Sequence, residues 1–250
     1  KKLGLHHVAV DMKRLASDRM QRVYPFFDQP FAVASAYALF DISKVAARHM
    51  KVVLTGDGGD EVFAGYDYKH QPFYQHPLLR WVPPMLNPVM KAMLKLIPFA
   101  KAKAMLDDLK LSNGDRFLNR SRIFTPAEAL HLIHASLHHL IDTNRFKRQV
   151  DLIFGRMKHL PIVRQLLIAD LQTFLKSEML YKVDRMTMAN GIEARVPLLD
   201  HELVELAFGI PLPLLRNDNQ GKILLRNMVA AFLPTIASRE KTGFNTPRQT

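Results

Sequence analysis

Lys51–Tyr66 reads KVVLTGDGGDEVFAGY, and its first half decides the fold. Val52, Val53, Leu54 and Thr55 are apolar or β-branched and run directly into Gly56-Asp57-Gly58-Gly59-Asp60-Glu61. Such a run predicts a buried strand that stops in a loop, whose glycines let backbone N–H groups approach a ligand closely. The loop carries three carboxylates within five residues, Asp57, Asp60 and Glu61. Open α/β sheets bind ligands at the carboxyl ends of their parallel strands. Glycines alone suggest phosphate contact. Glycines with acids suggest phosphate held through a metal.

Upstream, Phe31–Met50 places Ala34, Ala38, Ile42, Val45 and Ala46 at helical spacing on one face, which predicts a helix feeding the strand. His6–Val10 alternates as a short strand would, and Asp11 is placed to cap a helix reaching Arg22. Tyr24–Pro30 is a turn-rich aromatic segment. Strand, helix, strand in this order predicts an α/β domain with a parallel sheet. Three parts follow: an α/β part over residues 1–69, a helical insertion over 70–163, and a helical part over 164–250. In the last, Gln165–Lys182 has helical periodicity, and Asp200 caps a helix ended by Gly209 and Pro211. Gly221–Leu233 is an amphipathic helix stopped at Pro234, and Arg239–Phe244 is a loop.

Composition excludes several classes. The 250 residues can bury a substantial core, and 48% hydrophobic with 23% charged residues is ordinary for a soluble domain. There are no cysteines, so disulfides, thiolate metal sites and a cysteine nucleophile are out, in keeping with a cytoplasmic location. No apolar run approaches the roughly 18 residues of a membrane span, and no signal peptide is expected. The formal charge is +12. Its excess sits at Lys91, Lys95, Lys101, Lys103 and Lys110 among leucines, methionines and prolines, with few aromatics between them. This is a solvated helical face in preference to a nucleic-acid site. The histidines show no metal-ligand spacing: His6-His7 point opposite ways on a strand, and His138-His139 lie on a helix without partners.

Four segments in order carry a resemblance. They are TGDGGDEVFAGY (55–66), VDRMTMANGIEARVPLLDHELVELAFGIP (183–211), GKILLR (221–226) and REKTGF (239–244). The chain resembles the synthetase domain of the glutamine-dependent asparagine synthetases over nearly its whole length. The resemblance implies a sheet of the adenine-nucleotide α-hydrolase (ATP pyrophosphatase) type with a large helical portion. It also implies a two-step reaction. ATP adenylates a carboxylate, most simply that of aspartate, with loss of pyrophosphate. Ammonia drawn from glutamine then displaces AMP. That chemistry needs triphosphate charge neutralised and the reacting atoms held in line.

Carried over residue by residue, the resemblance gives Asp57, Glu193 and Lys241 catalytic roles and Asp60 the Mg²⁺ ion. Thr55, Gly56, Gly58, Gly59 and Lys222 contact the nucleotide, Lys222 being equally a plain surface lysine. Arg195 recognises a substrate carboxylate, while Glu61 touches substrate or braces the segment after it. Read without the resemblance, Asp57 and Asp60 are turn formers or caps and Lys241 is a surface lysine. Glu193, Arg195, Asp184 and Arg185 form a charged cluster among apolar residues, where charges are expected to be paired. The family's SGGxDS loop and its glutamine-hydrolysing domain, with an N-terminal cysteine, have no counterpart here. The expectation is a piece of a longer protein, inactive alone, with a glutaminase domain on the same parent chain and a homodimer compatible with it. Relatives that close lactam rings or amidate other acids keep the acyl substrate open, although Asp57 favours the ammonia-using branch. A non-catalytic protein that holds an acidic partner on its basic face is the reading from another class, and an SGGxDS loop upstream discriminates against it.

Overall fold

In the computed structural model, the strand that precedes the acidic loop is Val52–Leu54 (β1), and it pairs in parallel with Glu193–Arg195 (β2). The register sets Val52 opposite Glu193, Val53 opposite Ala194 and Leu54 opposite Arg195. The structure describes residues 4, 6–9, 17–31, 33–67, 69–70, 111–217 and 219–239. Among them, helices dominate a small parallel sheet, an arrangement compatible with an α/β fold. None of the described helices is long and apolar enough to cross a membrane.

The chain forms two compact units, which cut across the three parts read from the sequence. One comprises Lys1–Val62, Thr173–Gly209 and Leu224–Thr250, the other Phe63–Gln172 and Ile210–Ile223.

In the first unit, helices Ser17–Val23 (α1) and Ser35–Ala46 (α2) precede β1, and a short helix Gly59–Val62 (α3) follows the acidic loop. The helix Leu180–Met188 (α8) packs on α2 and leads into β2. Val23, Ala36, Tyr37 and Met186 form the core, with Phe27, Phe31 and Phe40 packed against it. Phe27 and Phe31 stack at 4.4 Å, and Tyr181 meets both rings. Asp200 caps the helix His201–Gly209 (α9) by accepting the Glu202 N–H at 3.0 Å, as its position predicts.

The second unit holds Asn113–Ser121 (α4), Pro126–His131 (α5), Arg145–Arg156 (α6), Ile162–Asp170 (α7) and Leu212–Leu215 (α10). Phe117, Val150, Phe154, Leu166 and Ala169 close its core. Asp170 is fully buried there, bonded to the Lys69 ammonium and, at 2.6 Å, to His70 Nε2.

Five expectations are corrected. The strand is not buried: Val52 is 41% and Leu54 72% exposed, because β2 is its one partner among the described residues. His6–Ala9 is irregular and exposed, so the two histidines are not on a strand; Val10 and Asp11 lie outside the described residues. On α2 the buried residues are Ser35, Ala36, Tyr37, Ala38 and Ser43, while Ile42 is exposed. A serine displaces the isoleucine because its hydroxyl donates to Met186 O at 2.9 Å and accepts from Asn190 Nδ2 at 2.9 Å. The helix expected over Gly221–Leu233 is Ile223–Ala230 (α11), and Pro234 opens another, Pro234–Ala237 (α12), since proline suits a first helical turn. His138 is not without partners: its Nε2 lies 3.0 Å from both Leu130 O and Ile133 O, on a 3₁₀ turn over Ala135–Leu140. The helical periodicity of Gln165–Lys182 also hides a change of helix type, with α7 continuing as a π-helix over Leu171–Met179 before α8.

Candidate functional site

The ladder between β1 and β2 continues one step past the strand. Thr55 N–H donates to Arg195 O at 2.9 Å, so the loop starts from a fixed point. Gly59 N–H then donates to Gly56 O at 3.3 Å and Val62 N–H to Gly58 O at 2.9 Å, which turns the chain into α3. Gly58 has φ +85°, and a Cβ there would stand 2.2 Å from Leu199 Cδ2. Two independent demands thus exclude a side chain. Asp57 and Asp60 are half-buried and Glu61 is 2% exposed.

Gly56 differs from Gly58. It is exposed, and beyond its own chain neighbours no heavy atom lies within 4 Å of where its Cβ would be. Beside it, Thr55 Oγ1 is buried without a hydrogen-bond partner. A buried orphan hydroxyl next to open space above a glycine fits a ligand with acceptor oxygens, such as a phosphate chain. Among the described residues no three His, Asp or Glu side chains gather as a metal cluster. Mg²⁺ suits such a loop because it takes one or two carboxylates and completes its shell with water and substrate phosphates.

One functional candidate escapes the sequence reading. Lys182, on α8, is 6% exposed, and its ammonium donates to Ser35 Oγ at 3.0 Å. Burial pushes its pKa below the ordinary lysine value, while the charges of Asp57, Glu178 and Glu61 oppose that shift. A buried cation thus sits in the field of two acids of the loop and one from the π-helix. The available signal was its spacing: Lys182, Val183 and Met186 share the buried face of α8, where a lysine is unusual unless paired.

The other candidates fall into three groups. Thr55 to Glu61 come together at the end of β1, with Glu193 and Arg195 on the neighbouring strand. Glu193 and Arg195 are not embedded among apolar residues. They are 58% and 62% exposed and pair with each other at 2.8 Å, because residues two apart on a strand share a face. Asp184 is also exposed, and Arg185 pairs with Asp28 across the aromatic group of the first unit. Lys222 belongs to the second unit. It stands at φ +57° with its N–H donating to Phe63 O at 3.0 Å, next to Gly221, where a Cβ would fall 1.9 Å from Ala64 O. Lys241 lies outside the described residues.

The sequence pattern of the asparagine synthase family matches residues 1–250, the entire chain. The chain belongs to that family. Among curated proteins it is 28% identical over 232 residues to asparagine synthetase [glutamine-hydrolyzing] 1 of Bacillus subtilis, covering 92% of this chain and 36% of that protein. It is 28% identical over 251 residues to a putative asparagine synthetase [glutamine-hydrolyzing] of Mycobacterium tuberculosis H37Rv, covering 98% of this chain and 37% of that protein. A shorter match, 42% over 69 residues, covers 25% of this chain and 13% of a putative asparagine synthetase [glutamine-hydrolyzing] 1 of Methanocaldococcus jannaschii. The chain therefore spans little more than a third of the first two relatives.

Proposed function

We propose that this chain supplies the adenylating site of an ATP-dependent amide ligase that turns aspartate into asparagine. The observation that carries the proposal is the acidic glycine loop fixed to the carboxyl end of a parallel strand, in a chain matched throughout by the asparagine synthase family. The side-chain carboxylate of aspartate attacks the α-phosphorus of ATP, and pyrophosphate leaves. Ammonia, free or released from glutamine by a glutaminase domain of the parent protein, attacks the acyl carbon, and AMP leaves. The parent acts in the cytoplasm, and its assembly as a homodimer belongs to the same proposal.

In this reading, Thr55 and the backbone of Gly56, Gly58 and Gly59 receive the phosphates, a role supported by the orphan Thr55 hydroxyl and the open face of Gly56. Asp60 holds Mg²⁺, which when bound neutralises triphosphate charge. Asp57 stands by the acyl centre and takes a proton from the attacking ammonia. Glu61, almost fully buried, braces the loop from below and so shapes the substrate side. Arg195 takes the second carboxylate of aspartate. Its Nε is held by Glu193 at 2.8 Å, which leaves the two terminal nitrogens for a fork-like pair. Glu193 so positions Arg195 beside the reacting group. Lys241 carries the charge of departing pyrophosphate.

ATP–pyrophosphate exchange tests the proposal. Exchange that requires aspartate, with AMP formed when ammonia is added, is the expected result. Exchange driven by another acid and not by aspartate would remove the asparagine assignment and keep the adenylation. Release of ADP and phosphate would overturn both.

A further inference from the structure

The second unit contains a cavity of about 460 Å³ between α4, α5 and the start of α6, within the size range of small-molecule sites. Leu118, Phe124, Leu130, Ile133, Ile141 and Phe146 supply its apolar wall. Three charged side chains also line it: Asp115, Lys147 and Arg122. Two of these satisfy each other. Lys147 Nζ lies 2.5 Å from Asp115 Oδ1 and also reaches Asp151, and Asp115 accepts from the Ser112 hydroxyl at 2.7 Å.

Arg122 is left over. Its guanidinium donates to the neutral amide oxygen of Asn119, and among the described residues no carboxylate stands within ion-pair distance of it. Glu128, whose carboxylate feels the Arg122 charge, is engaged at 2.7 Å with both the N–H and the hydroxyl of Thr125. The wall therefore carries one net positive charge, on a planar fork suited to a carboxylate. We propose that this cavity is a binding site for a small amphiphilic carboxylate, its apolar body against Leu118, Leu130 and Ile133 and its head on Arg122. The site lies wholly within the second unit and uses no residue assigned above to adenylation.

Calorimetry or NMR titration of the full chain at about 0.15 M salt, where non-specific attraction to the basic surface is screened, tests this. The probes are sodium octanoate, sodium butanoate and 1-octanol. Octanoate is expected to bind at least tenfold more tightly than butanoate, since each buried methylene contributes a several-fold gain. Arg122→Gln should weaken octanoate about tenfold and leave 1-octanol unchanged; its exposed position spares the fold. Ala129→Leu, which adds bulk to the cavity wall, should weaken both. Octanoate binding that is undetectable, or indifferent to Arg122→Gln, would overturn the proposal. So would association with anionic phosphatidylglycerol vesicles in the absence of binding to free octanoate, which would mark a membrane contact.

Discussion

Gly56 and Gly58, two residues apart, make opposite demands. Gly58 combines a positive φ with a methyl-sized exclusion by Leu199, so Gly58→Ala should cost about 2–3 kcal/mol, measured as a lower urea midpoint. Gly56 has neither constraint. Gly56→Ala should leave stability within about 0.5 kcal/mol and yet depress pyrophosphate exchange, because its added methyl occupies the open face offered to phosphate. Equal stability losses in the two variants would refute this division of roles. Lys182 makes a different prediction, through pH. Its folded pKa lies below the ordinary 10.5, so between the two values the unfolded chain holds more protons and stability rises with pH. Below that window the buried ammonium costs stability. The melting temperature of Lys182→Met minus that of the unaltered chain should therefore fall as pH climbs toward 10.5; a difference independent of pH would show an unperturbed lysine. For Lys241 the expectation comes from the proposed chemistry. Lys241→Ala should slow adenylate formation about a hundred- to a thousandfold, since losing a charged donor to a developing anion costs about 3–4 kcal/mol. Near-normal exchange would return it to the surface lysines.

At the level of elements, legibility tracked how local each signal was. The end of β1 was readable because valines meeting glycines and aspartates need no distant partner to stop a strand. The Asp200 cap was readable for the same reason, its acceptor lying two residues from the donor. The burial of α2 was not, since Ser43 is chosen by Met186 and Asn190, more than 140 residues away. Apolar spacing alone selects Ile42, and tertiary hydrogen bonding overrides it. The π-helix over Leu171–Met179 was equally hidden, because a widened turn leaves no compositional mark. The acidic loop was legible as a loop, but the buried Lys182 beneath its charges depends on α8 packing against α2. One local device allows a direct test. Thr125 and Glu128 form a reciprocal capping box at the start of α5, with Thr125 Oγ1 accepting the Glu128 N–H at 3.2 Å. No residue of α5 is buried, so the cap has little packing to support it. Thr125→Ala should cost about 1 kcal/mol and speed amide exchange over Pro126–His131 before any other element of the second unit. Uniform acceleration across α4 and α6 would show that α5 is held by packing and not by its cap.

For the whole molecule, a formal charge of +12 attracts any polyanion, ATP and nucleic acid alike, so affinity at low salt carries little information about a site. The two origins separate by screening. Contacts between exposed lysines and phosphates release counterions and weaken steeply with salt. A phosphate chain received by backbone N–H groups, a buried hydroxyl and a metal ion is screened less, because those partners are fixed within the fold. Association with duplex DNA should accordingly be measurable by fluorescence anisotropy at about 50 mM salt. It should fall by at least a hundredfold at about 200 mM, with no preference among sequences. ATP with Mg²⁺, assayed in the longer protein proposed above, should lose less than tenfold over the same interval, and Gly56→Ala should remove the salt-resistant part. Retention of duplex DNA at 200 mM would make the basic surface a nucleic-acid site after all. Loss of ATP in parallel with DNA would mean that the acidic loop contributes nothing beyond the net charge around it.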